Sequence, residues 1–272
     1  MSRNNLFVMA FIVLAFSSCT EKPRQLLILH TNDSHSQIDP TERGGGFAAR
    51  AALVDSLRRV CPDMLLLDGG DMVQGTPYFN LYHGRIEVEA YNRMGYDVVT
   101  LGNHEFDNGV DSLSVWLSKA RFHVVAANYD VRGTVLEPIV KPYVILRRSG
   151  LNIAVIGLGV NPDKLILKIN FEPVGFRDPI VCANYYADSL KTAGACDFVI
   201  ALSHLGFNTT TEGEASDSIL ASQSRNIDLI LGGHTHKVRG VFRIPNVEGR
   251  EITVMQTSSS AYEADKVVLN VN

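Results

Sequence analysis

The amino-acid sequence predicts an α/β protein, a layered sandwich of two mixed β-sheets flanked by helices, and three observations carry that expectation. Short, apolar, β-branched runs alternate with stretches of helical period along most of the chain. Several of these runs stop at glycine-bearing turns that hold Asp, Asn or His, as strands of open α/β sheets do at their ligand-binding ends. The last part of the chain reads as strands alone, which calls for a second sheet packed against the first.

The first residues read as an address rather than as part of the fold. Arg3 precedes an apolar run at 6–16, and Ser17-Ser18-Cys19 follows. The run is too short to span a bilayer. It resembles a bacterial lipoprotein signal, which implies export to the periplasm or cell surface and a membrane anchor of lipid on Cys19. Residues 20–25 then read as a polar tether, and 26–272 as one domain without repeat or linker. A net charge of −4 with no basic block argues against a nucleic-acid partner. Cys61, Cys182 and Cys196 remain, an odd number at spacings unlike a zinc knuckle. They read as small buried residues, with room for one oxidised pair.

In chain order, 25–30 is a strand running into Thr31-Asn32-Asp33-Ser34-His35, which places a carboxylate and an imidazole two apart on one face. A helix over 44–60 and a strand over 64–67 follow, the strand ending in Asp68-Gly69-Gly70-Asp71. These glycines let the backbone carry a carboxylate where a Cβ would not fit. A helix is expected over 82–94 and a strand over 97–101, which delivers Leu101-Gly102-Asn103-His104-Glu105-Phe106-Asp107. The helix over 108–119 contains the only tryptophan, Trp116, read as core. Strands at 122–126, 143–147 and 152–158 come next, the last two as a hairpin about Ser149 and Gly150. A helix over 180–193 leads to a strand at 198–202 that ends at His204, and a strand at 227–231 ends in Gly232-Gly233-His234-Thr235-His236. Strands at 241–244, 251–256 and 267–271 are assigned to the second sheet.

Five strand ends therefore carry Asp33 and His35, Asp71, Asn103 and His104, His204, and His234 and His236. A lone Asp-x-His or His-x-His carries little weight; their joint occurrence points to a metal site. His30, His83 and His123 lack such surroundings and read as structural or surface residues. Nitrogen and oxygen donors without thiolate suit zinc, manganese, iron or nickel. Asp33, His35, Asp71, Asn103, His204, His234 and His236 are more ligands than one ion uses while keeping an open position, so two divalent metal ions are expected. Asp71 is the natural bridge between them. His104 follows a ligand directly and would face the substrate instead, with Asp107 holding its ring.

Leu29 to His35 and Tyr96 to Asp107, with Gln74-Gly75-Thr76-Pro77 and Gly232 to His236, resemble the signatures of the calcineurin-like metallophosphoesterases, and within them the catalytic domain of the 5′-nucleotidase family. The resemblance covers residues 26–271. It implies the metallophosphatase fold, with Asp33, His35, Asp71 and His236 on one ion and Asp71, Asn103, His204 and His234 on the other. It also implies that His104 and Asp107 form the catalytic dyad. Family members that act on nucleotides carry a carboxy-terminal nucleotide-binding domain, and this chain stops at Asn272, so a separate protein supplying that domain is one expected partner. Three functions follow: a phosphomonoesterase on small phosphate esters such as nucleotides, a phosphodiesterase on cyclic nucleotides or nucleotide sugars, or a non-catalytic metal-binding module. A domain that grips only the phosphoryl group should discriminate little among leaving groups.

Overall fold

The structure is a computed structural model and describes residues 24–271 apart from 210 and 212. The apolar run, Cys19 and most of the tether lie outside the described residues. In the first half, β1 (Arg24–Thr31), α1 (Gly46–Val60), β2 (Leu65–Asp68), α2 (Pro77–Tyr82), α3 (Arg85–Met94), β3 (Val98–Thr100) and α4 (Gly109–Leu117) alternate. Then come the short strands β4 (His123–Val125), β5 (Tyr129–Asp130) and β6 (Val140–Lys141). The second half opens with the expected hairpin of β7 (Tyr143–Arg148) and β8 (Leu151–Leu158), followed by α5 (Lys168–Phe171), β9 (Gly175–Phe176) and α6 (Pro179–Thr192). It closes with β10 (Phe198–Ser203), α7 (Asp217–Gln223), β11 (Leu229–Gly232), β12 (Gly240–Pro245), β13 (Glu251–Gln256) and β14 (Asp265–Val271).

Two six-stranded sheets result, ordered β14-β1-β2-β3-β4-β6 and β12-β13-β11-β10-β8-β7. Both are mixed: β14 is antiparallel to β1, and β7 and β12 are antiparallel edges on a parallel centre. Side chains alternate between two cores, as the period of an extended chain requires. Leu26 and Ile28 of β1 meet Ile153, Val155, Ile200 and Leu202 between the sheets. Leu27 and Leu29 of the same strand pack instead on Phe47, Val54, Tyr91 and Trp116 from the helical layer. On the far side, α6 and α7 cover β8, β10 and β11 through Ala183, Ala187, Leu190 and Leu220. Each fully buried leucine, isoleucine or valine among these contributes roughly 1.5–3 kcal/mol, an alanine methyl about a third of that.

Three details depart from the expected elements. β14 joins the first sheet, not the second, because its Val267 and Leu269 reach the core between the sheets while its backbone closes the β1 edge. The helix expected over 82–94 is broken at His83 and Gly84, both with positive φ. Gly84 lies so close to Trp116 that an added Cβ would come 2.8 Å from the indole, so the buried tryptophan dictates the break. β1 also takes in Arg24, assigned above to the tether, and in the expected part of the strand Gln25 Nε2 donates to Asn270 Oδ1 at 3.0 Å. Cys61, Cys182 and Cys196 are free thiols, the last two buried.

Candidate metal centre

The carboxyl ends of β1, β2 and β3 in one sheet and of β10 and β11 in the other meet at one end of the sandwich. The turn after β1 lies on the turn after β2, with Asp33 N donating to Gly70 O at 2.9 Å and His35 N to Asp71 O at 3.0 Å. Asp33, His35, Asp71 and His234 all have positive φ. Non-glycine residues rarely hold that conformation, and those that do collect at functional sites because surrounding contacts over-determine them.

Every candidate read from the sequence is in this cluster. The ligand atoms of Asp33, His35 and His236 lie within 4.8 Å of one another, as do those of Asp71, His204 and His234. His35, Asp71 and His104 form a third such group, so the two halves meet around Asp71. His236 Nε2 is 3.2 Å from Asp33 Oδ1, and His204 Nε2 is 3.0 Å from Asp71 Oδ2. Asn103 is buried beside them, since the next backbone N–H, of His104, donates to Asp71 Oδ1 at 2.9 Å. Asp107 Oδ2 lies 2.8 Å from His104 Nδ1, and both side chains are about one-third exposed. His30, buried near Asp265, and the exposed His83 and His123 stand outside the cluster.

With this arrangement in place, comparison with known proteins is decisive, because the calcineurin-like phosphoesterase profile matches residues 26–238. The chain belongs to the calcineurin-like phosphoesterase family. It is 34% identical to a snake venom 5′-nucleotidase of Naja atra and to the 5′-nucleotidase of Bos taurus, over 78% and 79% of this chain. It spans only 41% and 38% of those proteins' lengths. In structure it resembles the NAD nucleotidase of Haemophilus influenzae, with a TM-score of 0.79 and 29% identity over 91% of this chain and 47% of that one. A 5′-nucleotidase precursor from Thermus thermophilus gives a TM-score of 0.76 at 29% identity, covering 91% of this chain and 54% of that chain.

The donor set of this phosphoesterase fits divalent cations. Asn103 Oδ1 is buried and makes no hydrogen bond, a costly state unless a cation satisfies it, and Asp33 Oδ1 and His204 Nε2 are buried with other candidate ligand atoms beside them. His35 Nε2 and His236 Nε2 face each other at 2.9 Å, which requires a proton or a metal between them. Gly102 leaves the floor open, since a Cβ there would lie 2.2 Å from Asp71 Oδ1 and 2.7 Å from His204 Nε2. His204 Nδ1 donates to Gly69 O at 2.7 Å, the outer hydrogen bond that fixes a ligand tautomer.

Electrostatics point the same way. Burial disfavours charge on His204, but Asp71, then Asp33 and Glu105, outweigh it and push the imidazole up to about 10. Burial likewise opposes charge on Asp71, yet His204 holds its carboxyl well below the usual range. Burial, joined by the charge on His204, takes His234 down to about 4. The protonated His204 thus occupies the place of positive charge that a cation would otherwise fill.

Two supporting groups were not singled out in the sequence. Glu105 is buried and accepts from the backbone N–H groups of Asp71, Met72 and Gly102 at 2.7–3.0 Å, clamping two metal turns together. Burial and then Asp71 push it up to about 8. Behind the first turn, Arg50 Nη1 donates to Ser34 Oγ at 2.5 Å, and Tyr91 and Thr31 hydroxyls donate to Asp68 Oδ2 at 2.9 and 2.6 Å. An acceptor inside a ligand motif and a helix arginine look like surface residues in a sequence; only the fold shows them buried.

Proposed function

We propose that this chain is a dimetal-dependent phosphoric ester hydrolase, a phosphomonoesterase of the 5′-nucleotidase type acting on nucleotides. The observation that carries this reading is the convergence of Asp33, His35 and His236 with Asp71, His204 and His234, beside the His104–Asp107 pair. Asp33, His35, Asp71 and His236 would hold one cation, and Asp71, Asn103, His204 and His234 would hold the other. Bound there, the cations supply Lewis acidity toward phosphoryl oxygens and lower the pKa of water.

The remaining work falls to the chain's own groups. Asp107 accepts the Nδ1 proton of His104, and this hydrogen bond, with Asp71, raises the imidazole above its ordinary value against the effect of burial. His104 therefore keeps a proton on Nε2 for the leaving oxygen as the P–O bond breaks, while water oxygen bonds to phosphorus and the proton that water gives up passes to solvent. Glu105 and Gly102 keep the Asp71 turn in place and add nothing to the bond changes.

We assign the leader to export and Cys19 to a lipid anchor, on the strength of the charged head, the apolar run and the small residues before the cysteine. No described helix is long and apolar enough to cross a membrane. Phosphate release from nucleoside 5′-monophosphates and p-nitrophenol release from bis(p-nitrophenyl) phosphate, measured on protein loaded with zinc or manganese, test the function. Monoester cleavage that chelation abolishes is expected. Cleavage of the diester alone would select the diesterase, and full metal loading with no release at all would select a non-catalytic metal module.

A further inference from the structure

The cluster is flanked by two depressions of opposite character. Beside His236 lies one whose wall carries Arg43, Lys237 and Arg239. Beside His234 lies a cavity of about 410 Å3, walled by the loop after β8, the loop between β10 and α7, and the segment joining β9 to α6. Its size falls in the range of about 300–1,000 Å3 typical of small-molecule sites. Among the described residues only Lys164 is cationic there, against Asp163, Asp178 and Glu214. Asp178 already accepts from Ile180 N and Val181 N as a helix cap, and Glu214 Oε2 accepts from Thr209 Oγ1 at 3.2 Å, so the lining carries more carboxylate than ammonium. Such a lining disfavours a second phosphate.

The apolar part of the wall is Val160, Leu165, Phe176 and Leu205. Phe176 differs from its aromatic neighbours: Phe106, Tyr129 and Phe171 are buried, whereas Phe176 is 37% exposed with its ring 6.3 Å from Tyr129. An aromatic face left open in a cavity wall is suited to stack a planar ring. Asn161 and Asn208 add polar groups that can meet hydroxyls.

The walls are tied to the metal cluster. Phe207 N donates to Thr235 Oγ1 at 3.0 Å, and Asp217 N to Gly206 O at 2.8 Å, closing the base of one loop beside His234. Asn128 Nδ2 donates to Gly159 O at 2.7 Å and Tyr129 OH to Val160 O at 2.7 Å, fixing the other loop. The cavity wall is therefore fixed relative to His234.

We propose that this cavity is the leaving-group subsite and that it takes an uncharged nucleoside, the base against Phe176 and the sugar hydroxyls toward Asn161 and Asn208. The proposal rests on the phosphomonoesterase reading. It places discrimination among leaving groups inside this domain, where the family resemblance looks to a second domain for it.

Two measurements on the full chain test it separately from that reading. Binding of adenosine, which has no phosphate, is followed by titration with NMR or calorimetry for the native chain, Phe176→Ala, Phe176→Tyr and Leu165→Ala. Binding should be lost in Phe176→Ala, kept in Phe176→Tyr and weakened in Leu165→Ala. Rates are then compared for adenosine 5′-monophosphate, ribose 5-phosphate and adenosine 3′,5′-bisphosphate. The kcat/KM ratio of the first to the second should fall roughly tenfold in Phe176→Ala, the scale of one lost stacking contact. The bisphosphate should be the poorer nucleotide. Absence of adenosine binding, or equal kcat/KM for nucleoside and sugar phosphates, overturns the subsite. Adenosine binding that depends on Phe176 in a chain that cleaves no phosphate ester upholds the subsite and overturns the function. If Phe176→Ala does not fold, the Phe176→Tyr and Leu165→Ala results still decide.

Discussion

Asp71 Oδ2 lies 3.0 Å from His204 Nε2, and this contact joins the two sheets, since Asp71 follows β2 and His204 follows β10. Neither sheet alone could assemble the site. Both residues are buried, and their short contact is part of what raises the imidazole. The proton on His204 and a cation compete for the same lone pair.

Metal binding should therefore release a proton. His204, pushed up to about 10, is still protonated near pH 8 in the metal-free protein, and ligation through Nε2 expels that proton. Calorimetric zinc titrations at that pH in two buffers of different ionisation enthalpy should give different heats, and affinity should rise with pH. Equal heats would remove His204 from the ligand set. The same raised value stabilises the metal-free fold below the ordinary 6.5, and that contribution is lost as pH rises through about 10.

Asp71→Asn should empty the centre, because a neutral amide cannot balance two dications and His204 loses its counter-charge. Metal analysis of the purified variant should find less than half the native content, with activity lost in proportion. Full native content in the variant would end the bridging assignment.

His104→Ala should keep the metal content yet lower kcat by roughly 10²–10⁴, the range for a positioned acid or base. The loss should shrink for p-nitrophenyl phosphate, whose leaving group needs little protonation. Equal losses for p-nitrophenyl and alkyl phosphates would show that His104 only positions the phosphoryl group.

Much of the site was legible because metal ligation demands particular side chains and the alternating pattern places them at strand ends. Asp33, His35, Asp71, Asn103, His104, Asp107, His204, His234 and His236 all lie in one cluster. The partners of a strand were less legible. β14 reads as a strand from its own residues, but its place beside β1 depends on which edge is free. The helix break at Gly84 depends on Trp116, more than thirty residues away and invisible to local periodicity. Glu105 and Arg50 escaped for a related reason, since burial of a charged residue is a property of the assembled layers.

Cys19→Ser should release the protein from membranes if the leader is a lipoprotein signal, because stable anchoring takes more than one acyl chain and all of them depend on that cysteine. Membrane fractionation of expressing cells, with radiolabelled palmitate incorporation as a second readout, checks it. Unchanged membrane association in the variant would count against the lipid anchor.

The buried network behind the first metal turn should be as sensitive as the ligands. Arg50 is 4% exposed and reaches Ser34 Oγ and Tyr96 OH, while Asp68 accepts from the Thr31 and Tyr91 hydroxyls and the Gly70 backbone. Burial raises Asp68, and Arg50 is the strongest influence opposing it. Arg50→Met, close in length but uncharged, leaves that carboxyl uncompensated. Breaking one side of a buried charge arrangement costs about 3–5 kcal/mol. Urea unfolding near neutral pH should show a loss of that size in the single variant. Because Ser34 lies between Asp33 and His35, zinc affinity should fall with it. Arg50→Met combined with Asp68→Asn removes both charges and should recover part of the stability, a coupling that a double-mutant cycle measures directly. Losses that simply add would mean that Arg50 acts through packing alone and that Asp68 is already neutral in the native protein.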